Sequence, residues 1–335
     1  MHIDTTYLVL GIVVFLALAF DFINGFHDTA NAIATTVSTR ALKPRVAILM
    51  ASAMNFVGAI LFTGVAKTIG GKVADPLKIE HGVEIVISAL IAAILWNLIT
   101  WWFGIPSSSS HALIGSLAGA VVSAEGWGGI NASGFTDIVK ALIFSPLIAF
   151  TIGFIVMWIL KRIFARFSPH KLNKGFRYGQ VLTAALQSFA HGTNDAQKAM
   201  GIIVFALMAA KVQETSDVPL WVKISAALAM ALGTSIGGYK IIKTMGTKIF
   251  KIEPINGFAA DISSYAVIMT ATMQHFPVSS THVITSSILG VGSAKRFSSV
   301  KWGVAGKIVM SWIITIPISS VVAALVFQVI KLIFL

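Results

Sequence analysis

The chain has 335 residues, 56% hydrophobic and 11% charged, with a net charge of +12, a mean hydropathy of +0.85 and no cysteine. A soluble domain carries about 25% charged residues, so this composition excludes a soluble enzyme and points to an integral membrane protein. The excess of Lys and Arg then reads as a topology signal rather than a nucleic-acid surface, and disulfides and thiol chemistry are excluded.

Met1–Asp4 lacks the basic start of a signal peptide, so the apolar run from Tyr7 reads as a first span with the N-terminus outside. Five crossings are expected at 6–39, 46–66, 84–104, 107–124 and 137–160, and five more at 178–210, 219–239, 255–276, 278–294 and 303–330. The stretch from Ile3 to Thr39 exceeds the roughly 20 residues of a straight span and holds Asn-Gly in its middle. Interruptions are therefore expected near Asn24–Asp28 and near His191–Asp195. The segments 107–124 and 278–294 are short and rich in Gly, Ala and Ser, and suit re-entrant half-helices.

The chain repeats itself. Asn24–Ala32 (NGFHDTANA) reappears as His191–Ala199 (HGTNDAQKA), and Pro106–His111 (PSSSSH) as Pro277–His282 (PVSSTH). Asp28 and Asp195 are 167 residues apart, as are Thr68–Gly71 and Ser235–Gly238; His111 and His282, like Pro146 and Pro317, are 171 apart. One four-residue insertion between Gly238 and Pro277 reconciles these offsets. An odd number of crossings per half inserts the second half upside down. The expected architecture is all-α and polytopic: a first inverted repeat at 1–160, a basic cytoplasmic linker at 161–177 and a second repeat at 178–335. With both termini outside, the inside loops hold 16 of the 25 basic residues, in keeping with the positive-inside rule.

Asn24, Asp28 and Asn31 follow i, i+4, i+7 spacing and share a helix face, repeated by His191, Asp195 and Lys198. A bare carboxylate at membrane depth costs about 3 kcal/mol on the lenient insertion scale. A bound cation removes that cost, and carboxylate, amide and hydroxyl oxygens suit a hard cation. A helix cap or a structural ion pair between Asp195 and Lys198 is the competing explanation. Two carboxylates at matching positions favour function.

The second motif places Pro ahead of a helix start crowded with hydroxyls. Proline keeps the preceding residue out of the helix, and serines cap the helix that follows. A helix start carries unpaired N–H groups and about half a positive charge, and so attracts anions. Ser107, Ser108, Ser109 and Ser110 in one half and Ser279, Ser280 and Thr281 in the other would hold a tetrahedral oxyanion from two sides, with Thr193 added from the Asp motif. Lys198, His191 and Gln197 are candidates for gating or anion contact. Ser110 and His111 are adjacent and point in different directions, so an intramembrane serine hydrolase is disfavoured.

At these motifs the chain resembles the inorganic phosphate transporter family, over its full length. The family's usual signature is Asn-Asp-x-x-Asn-Ala, and His27 and Lys198 depart from it. The resemblance implies a non-enzymatic, cation-coupled phosphate symporter of the cell membrane, an inverted-repeat fold and a homodimer. It implies no cofactor beyond the transported ions. On matching positions it assigns sodium to Asp28, Asn31, Asn194 and Asp195, more weakly to Asn24, and inorganic phosphate to Ser108–Ser110 and Ser279–Thr281. The chemistry alone leaves open proton-coupled transport of phosphate, metal-phosphate or sulfate, and, more distantly, a passive anion channel.

Overall fold

A computed structural model describes residues 5–236 and 238–334, and all regular structure among them is helical. The first half holds α1 (Thr5–His27), α2 (Thr29–Ser38), α3 (Pro44–Leu61), α4 (Gly64–Lys72), α5 (Gly82–Phe103), α6 (Ser109–Glu125) and α7 (Ala132–Ile163). The second holds α8 (Pro169–Ala209), α9 (Leu220–Ile236), α10 (Tyr239–Lys243) with a π turn at Thr244–Lys248, α11 (Pro254–Met273), α12 (Ser280–Arg296) and α13 (Trp302–Phe334). Only residues 164–168 separate α7 from α8, so most of the stretch read as a linker is helix. Met1–Asp4 lie outside the described residues.

The protein is built inside out. Large apolar side chains such as Phe15, Leu49, Trp102, Leu147, Leu232 and Leu325 face outward, while Asp21, Asn24, Asp28, Gln187, Asp195 and Lys198 are buried. That distribution suits lipid outside and polar groups satisfied by protein inside. Among the described residues five segments are long and apolar enough to cross a membrane, Thr6–Ser38, Pro44–Leu61, Gly82–Phe103, Ala132–Ile163 and Trp302–Ile333, and Leu220–Ile236 with Lys240–Lys248, bent by 65°, makes a sixth when counted as one span. Ten crossings were expected. α8 and α11 do not pass on composition because they carry the interior polar residues. α6 and α12, at 17 residues each, are buried over most of their length.

Two expected interruptions resolve differently. The first is a single residue, Asp28, between α1 and α2; its N–H still bonds Asn24 O at 2.8 Å, and Asn31 N bonds Asp28 O at 2.9 Å. The second is absent: α8 runs unbroken through His191–Asp195. Gly192 does not break it, because the missing side chain is used for close approach to Asn55 of α3 rather than for backbone freedom. A break not expected from the sequence falls at Phe62–Thr63, ending α3 inside the segment 46–66.

The halves pack through matching contacts. α7 lies on α12 as α13 lies on α6; α1 on α9 as α8 on α3; α5 on α6 as α11 on α12. Glycines set the register. Gly25 seats on Met230–Thr234 of α9 and Gly192 on Asn55 of α3, while Gly58 meets Phe189 and Gly233 meets Phe22. Met230 and Gly233 therefore answer Asn55 and Gly58 at an offset of 175, not 167. The match of Thr68–Gly71 with Ser235–Gly238 is not structural: Thr68 lies in α4, after the helix break, whereas Ser235 lies in α9. Gly237 falls outside the described residues. The offset thus changes twice, from 167 at the Asp motifs to 175 in α9 and then to 171 at the serine motifs.

A Cβ on Gly233 would collide with the Phe22 carbonyl, a backbone atom that cannot turn aside. Gly233→Ala is expected to destabilise the detergent-solubilised protein by about 1–3 kcal/mol, the usual cost of overpacking. Gly11→Ala, with open space around it, is the control. Equal melting temperatures for the two variants would refute the close-packing argument.

Candidate functional site

Matched backbone corners build the site. α5 ends at Gly104 with φ +64°, and α11 is followed by His275 with φ +62°. Each left-handed corner turns the chain toward Pro106 or Pro277 and then into a serine-capped helix. Ser108 Oγ accepts from His111 N at 3.1 Å and Ser279 Oγ from His282 N at 3.2 Å. The two helix starts meet: Ser110 Oγ donates to Val278 O at 2.8 Å, and the His111 and His282 rings lie 4.3 Å apart. His282 also stacks on Trp312 at 3.9 Å. His111 Nδ1 also lies 2.9 Å from Ser108 Oγ, so His111 both holds the capping serine and packs on His282.

The carboxylates reach these helix starts. Ser109 Oγ donates to Asp28 Oδ2 at 2.6 Å and Ser280 Oγ to Asp195 Oδ2 at 2.8 Å. Thr281 Oγ1 crosses between the halves to Asp28 Oδ1 at 3.1 Å and accepts from Asn31 Nδ2 at 2.9 Å. His27 Nδ1 lies 2.5 Å from Asp28 Oδ1, and its Nε2 lies 3.2 Å from Thr100 Oγ1. On the other side, Lys198 Nζ is 2.7 Å from Asp195 Oδ1 and His191 Nε2 is 3.2 Å from Oδ2. All of these side chains are buried. The network therefore joins two acidic side chains, three hydroxyls and two helix starts from both halves of the chain.

Several expected site residues lie beside this network rather than in it. Ser107 Oγ donates to Thr100 Oγ1 at 2.8 Å, and Ser108 and Ser279 are caps. Thr193 Oγ1 donates to Ala190 O at 2.7 Å, and Gln197 bridges Thr193 O and Ala66 N. Asn194 donates to Thr272 Oγ1 and Phe276 O and accepts from Val278 N, which pins the extended segment before α12. Asn24 is buried with neither amide atom hydrogen-bonded.

Other buried polar residues were not singled out from the sequence. Asp21 is fully buried on α1 with neither oxygen hydrogen-bonded. Asp261 on α11 accepts from Thr35 Oγ1 at 2.7 Å and Thr183 Oγ1 at 3.4 Å. Asn55 ties Thr29, Thr234 and His191 together. Reading by internal repetition passes over these residues, since Ser188 and Leu90 stand where copies of Asp21 and Asp261 would fall. An isolated acid within an apolar run is itself a signal, and it would have found Asp21.

The profile of the phosphate transporter family matches twice in tandem, over residues 24–174 and 164–323. The chain belongs to the phosphate transporter family. A protein of Bacillus subtilis (strain 168) named "Probable low-affinity inorganic phosphate transporter" is 57% identical over 324 residues, covering 96% of this chain and 97% of that protein. A protein of the same name from Rhizobium meliloti (strain 1021) is 45% identical, covering 92% and 93%. A solved structure named "The sodium-dependent phosphate transporter" superposes with a TM-score of 0.85 at 27% identity, covering 97% of this chain and all of that one. Membership in this family, with the apolar helices, makes the chain a multi-pass membrane phosphate transporter.

Proposed function

We propose that the chain carries inorganic phosphate into the cell together with sodium, by alternating access of two inverted repeats around the Asp28–Asp195 network. The observation that carries this reading is the bond from Thr281 to Asp28 across the two halves. There an anion-donor hydroxyl of one repeat meets the carboxylate of the other, so cation and oxyanion ligands form one site. Sodium is supported by the structural neighbour, which is named as sodium-dependent.

The coupling follows from charge. Phosphate near neutral pH carries between one and two negative charges, and an inside-negative potential opposes its entry by about 2.3 kcal/mol per charge per 100 mV. Two sodium ions offset a monovalent phosphate and leave net inward charge. Cations beside the anion raise its affinity, and by linkage the anion raises theirs. A second reading, proton coupling, is favoured by one observation: each carboxylate already touches basic side chains, His27 on Asp28 and His191 with Lys198 on Asp195.

Phosphate uptake into proteoliposomes separates the readings. A sodium gradient without a pH gradient is expected to drive accumulation, and choline in place of sodium to abolish it. Uptake that persists in choline and follows a pH gradient would replace sodium with protons. Accumulation by neither gradient would leave only a passive path.

The orientation is testable because the chain has no cysteine. Glu80→Cys and Lys171→Cys, both at exposed positions, each create a unique label site. With the basic loops inside, an impermeant maleimide is expected to label the first from outside intact cells and the second only after lysis. The opposite pattern would invert the proposed topology.

A further inference from the structure

We propose that Asp21 and Asn24 form a sodium site in this chain, replacing the one that Lys198 occupies on Asp195; this rests on the sodium-coupled reading above.

The two repeats differ where their carboxylates are met. Thr281 and Ser110 are counterparts, as are Asn31 and Lys198. In one direction Thr281 crosses to Asp28 and accepts from Asn31. In the other, Ser110 turns away to Val278 O, and Lys198 Nζ sits on Asp195 Oδ1 at 2.7 Å. The ammonium thus takes the place on Asp195 that oxygen ligands and a cation would otherwise share. Lys198 is almost fully buried and the pair is close to neutral.

That leaves Asp21. Its side chain is fully buried, neither oxygen has a hydrogen bond of ordinary geometry, and the side chains that act on it are Asn24 on its own helix and Asp195 and Lys198 of α8. With the ammonium committed to Asp195, a charge on Asp21 is uncompensated, an arrangement that a buried carboxylate sustains only by taking up a counter-ion or a proton; a sodium ion is the counter-ion tested below. Asn24, one turn along α1, lies close to this carboxylate, with both amide atoms buried and without a hydrogen bond of ordinary geometry.

A third oxygen donor stands at the same level. α1 and α5 run parallel, since Leu10 of α1 and Gly82 of α5 both lie at the Leu207–Ala209 end of α8, while His27 and Thr100 touch at the other end. Asn97 precedes Thr100 by the same three residues that separate Asn24 from His27. It is fully buried, and its amide atoms have no partner. The Asp21 carboxylate and the Asn24 amide are hard-oxygen donors, and Asn97 is the amide at the matching level of the neighbouring helix. Among the described residues no three His, Asp or Glu side chains gather around one point, so the set suits a monovalent ion better than a divalent one.

The test counts sodium. Equilibrium binding of radioactive sodium to the purified, detergent-solubilised protein is measured for wild type, Asp21→Asn, Asp21→Glu and Lys198→Met, with melting temperature against sodium concentration as the check on folding. Asp21→Asn is expected to bind one sodium fewer per chain and to lose part of the sodium-dependent rise in melting temperature, while melting no lower than wild type without sodium. Asp21→Glu is expected to keep the count, and Lys198→Met to gain one. A wild-type count retained in Asp21→Asn would overturn the site while leaving sodium coupling intact. No sodium binding to wild type would overturn both.

Discussion

Asp28→Asn is expected to abolish sodium-dependent phosphate uptake, lowering the initial rate by about 100-fold or more, with the protein still folded and monodisperse. Asp28 is the point where both halves converge: Ser109, Thr281 and His27 all reach its carboxylate. Asparagine keeps the shape but loses the charge and one acceptor oxygen, so its Nδ2 opposes a donor hydroxyl. Hydrogen bonds to charged groups are worth about 1.5–3 kcal/mol each, and two of them lost or inverted account for a fall of that size. Asp195→Asn is expected to act in the same direction through Ser280 and Lys198. Initial rates of radiolabelled phosphate uptake in proteoliposomes decide the matter, and wild-type rates in both variants would remove the carboxylates from the mechanism.

Lys198→Met is expected to give the largest loss of stability of any single substitution in the site. The lysine and Asp195 are buried together, and removing one partner of a buried pair leaves an uncompensated charge at a cost of about 3–5 kcal/mol. The double variant Lys198→Met with Asp195→Asn is expected to recover most of that loss, because the orphaned charge disappears. Thermal melts without sodium test this as a double-mutant cycle. Additive losses would mean that the two side chains are not energetically paired.

The sequence made the chemistry legible and the geometry less so. Polar residues in apolar surroundings, repeated at matching positions, identified the two acids and the two serine-capped helix starts, because burial makes such residues expensive. The choice among the hydroxyls was not readable: Ser109, Ser280 and Thr281 reach carboxylates, while Ser107 and Ser110 do not, and only the helix rotation decides between neighbours. Helix continuity at Gly192 was hidden because the same residue type serves both chain breaks and tight packing. The register of α9 was hidden because a short Ile-Gly-Gly match carries less information than backbone contact at Gly58 and Gly233. Asp21 and Asp261 do not stand out by repetition, since neither has a copy in the other half.

One consequence of the helix pattern concerns motion. At corresponding places the first half has a one-residue helix irregularity at Asp28 and the second has an unbroken rod, α8, which is 41 residues long. A rod about 60 Å in length, at 1.5 Å per residue, moves as a unit, whereas α1 and α2 keep helical backbone angles through Asp28 with only a local irregularity there. The two carboxylates are therefore carried by unequal mechanical parts, and amide hydrogen exchange is expected to run faster at residues 27–31 than at 193–197. Duplication supplied two similar ligand sets, and divergence set one of them at a helix irregularity and the other within an unbroken rod.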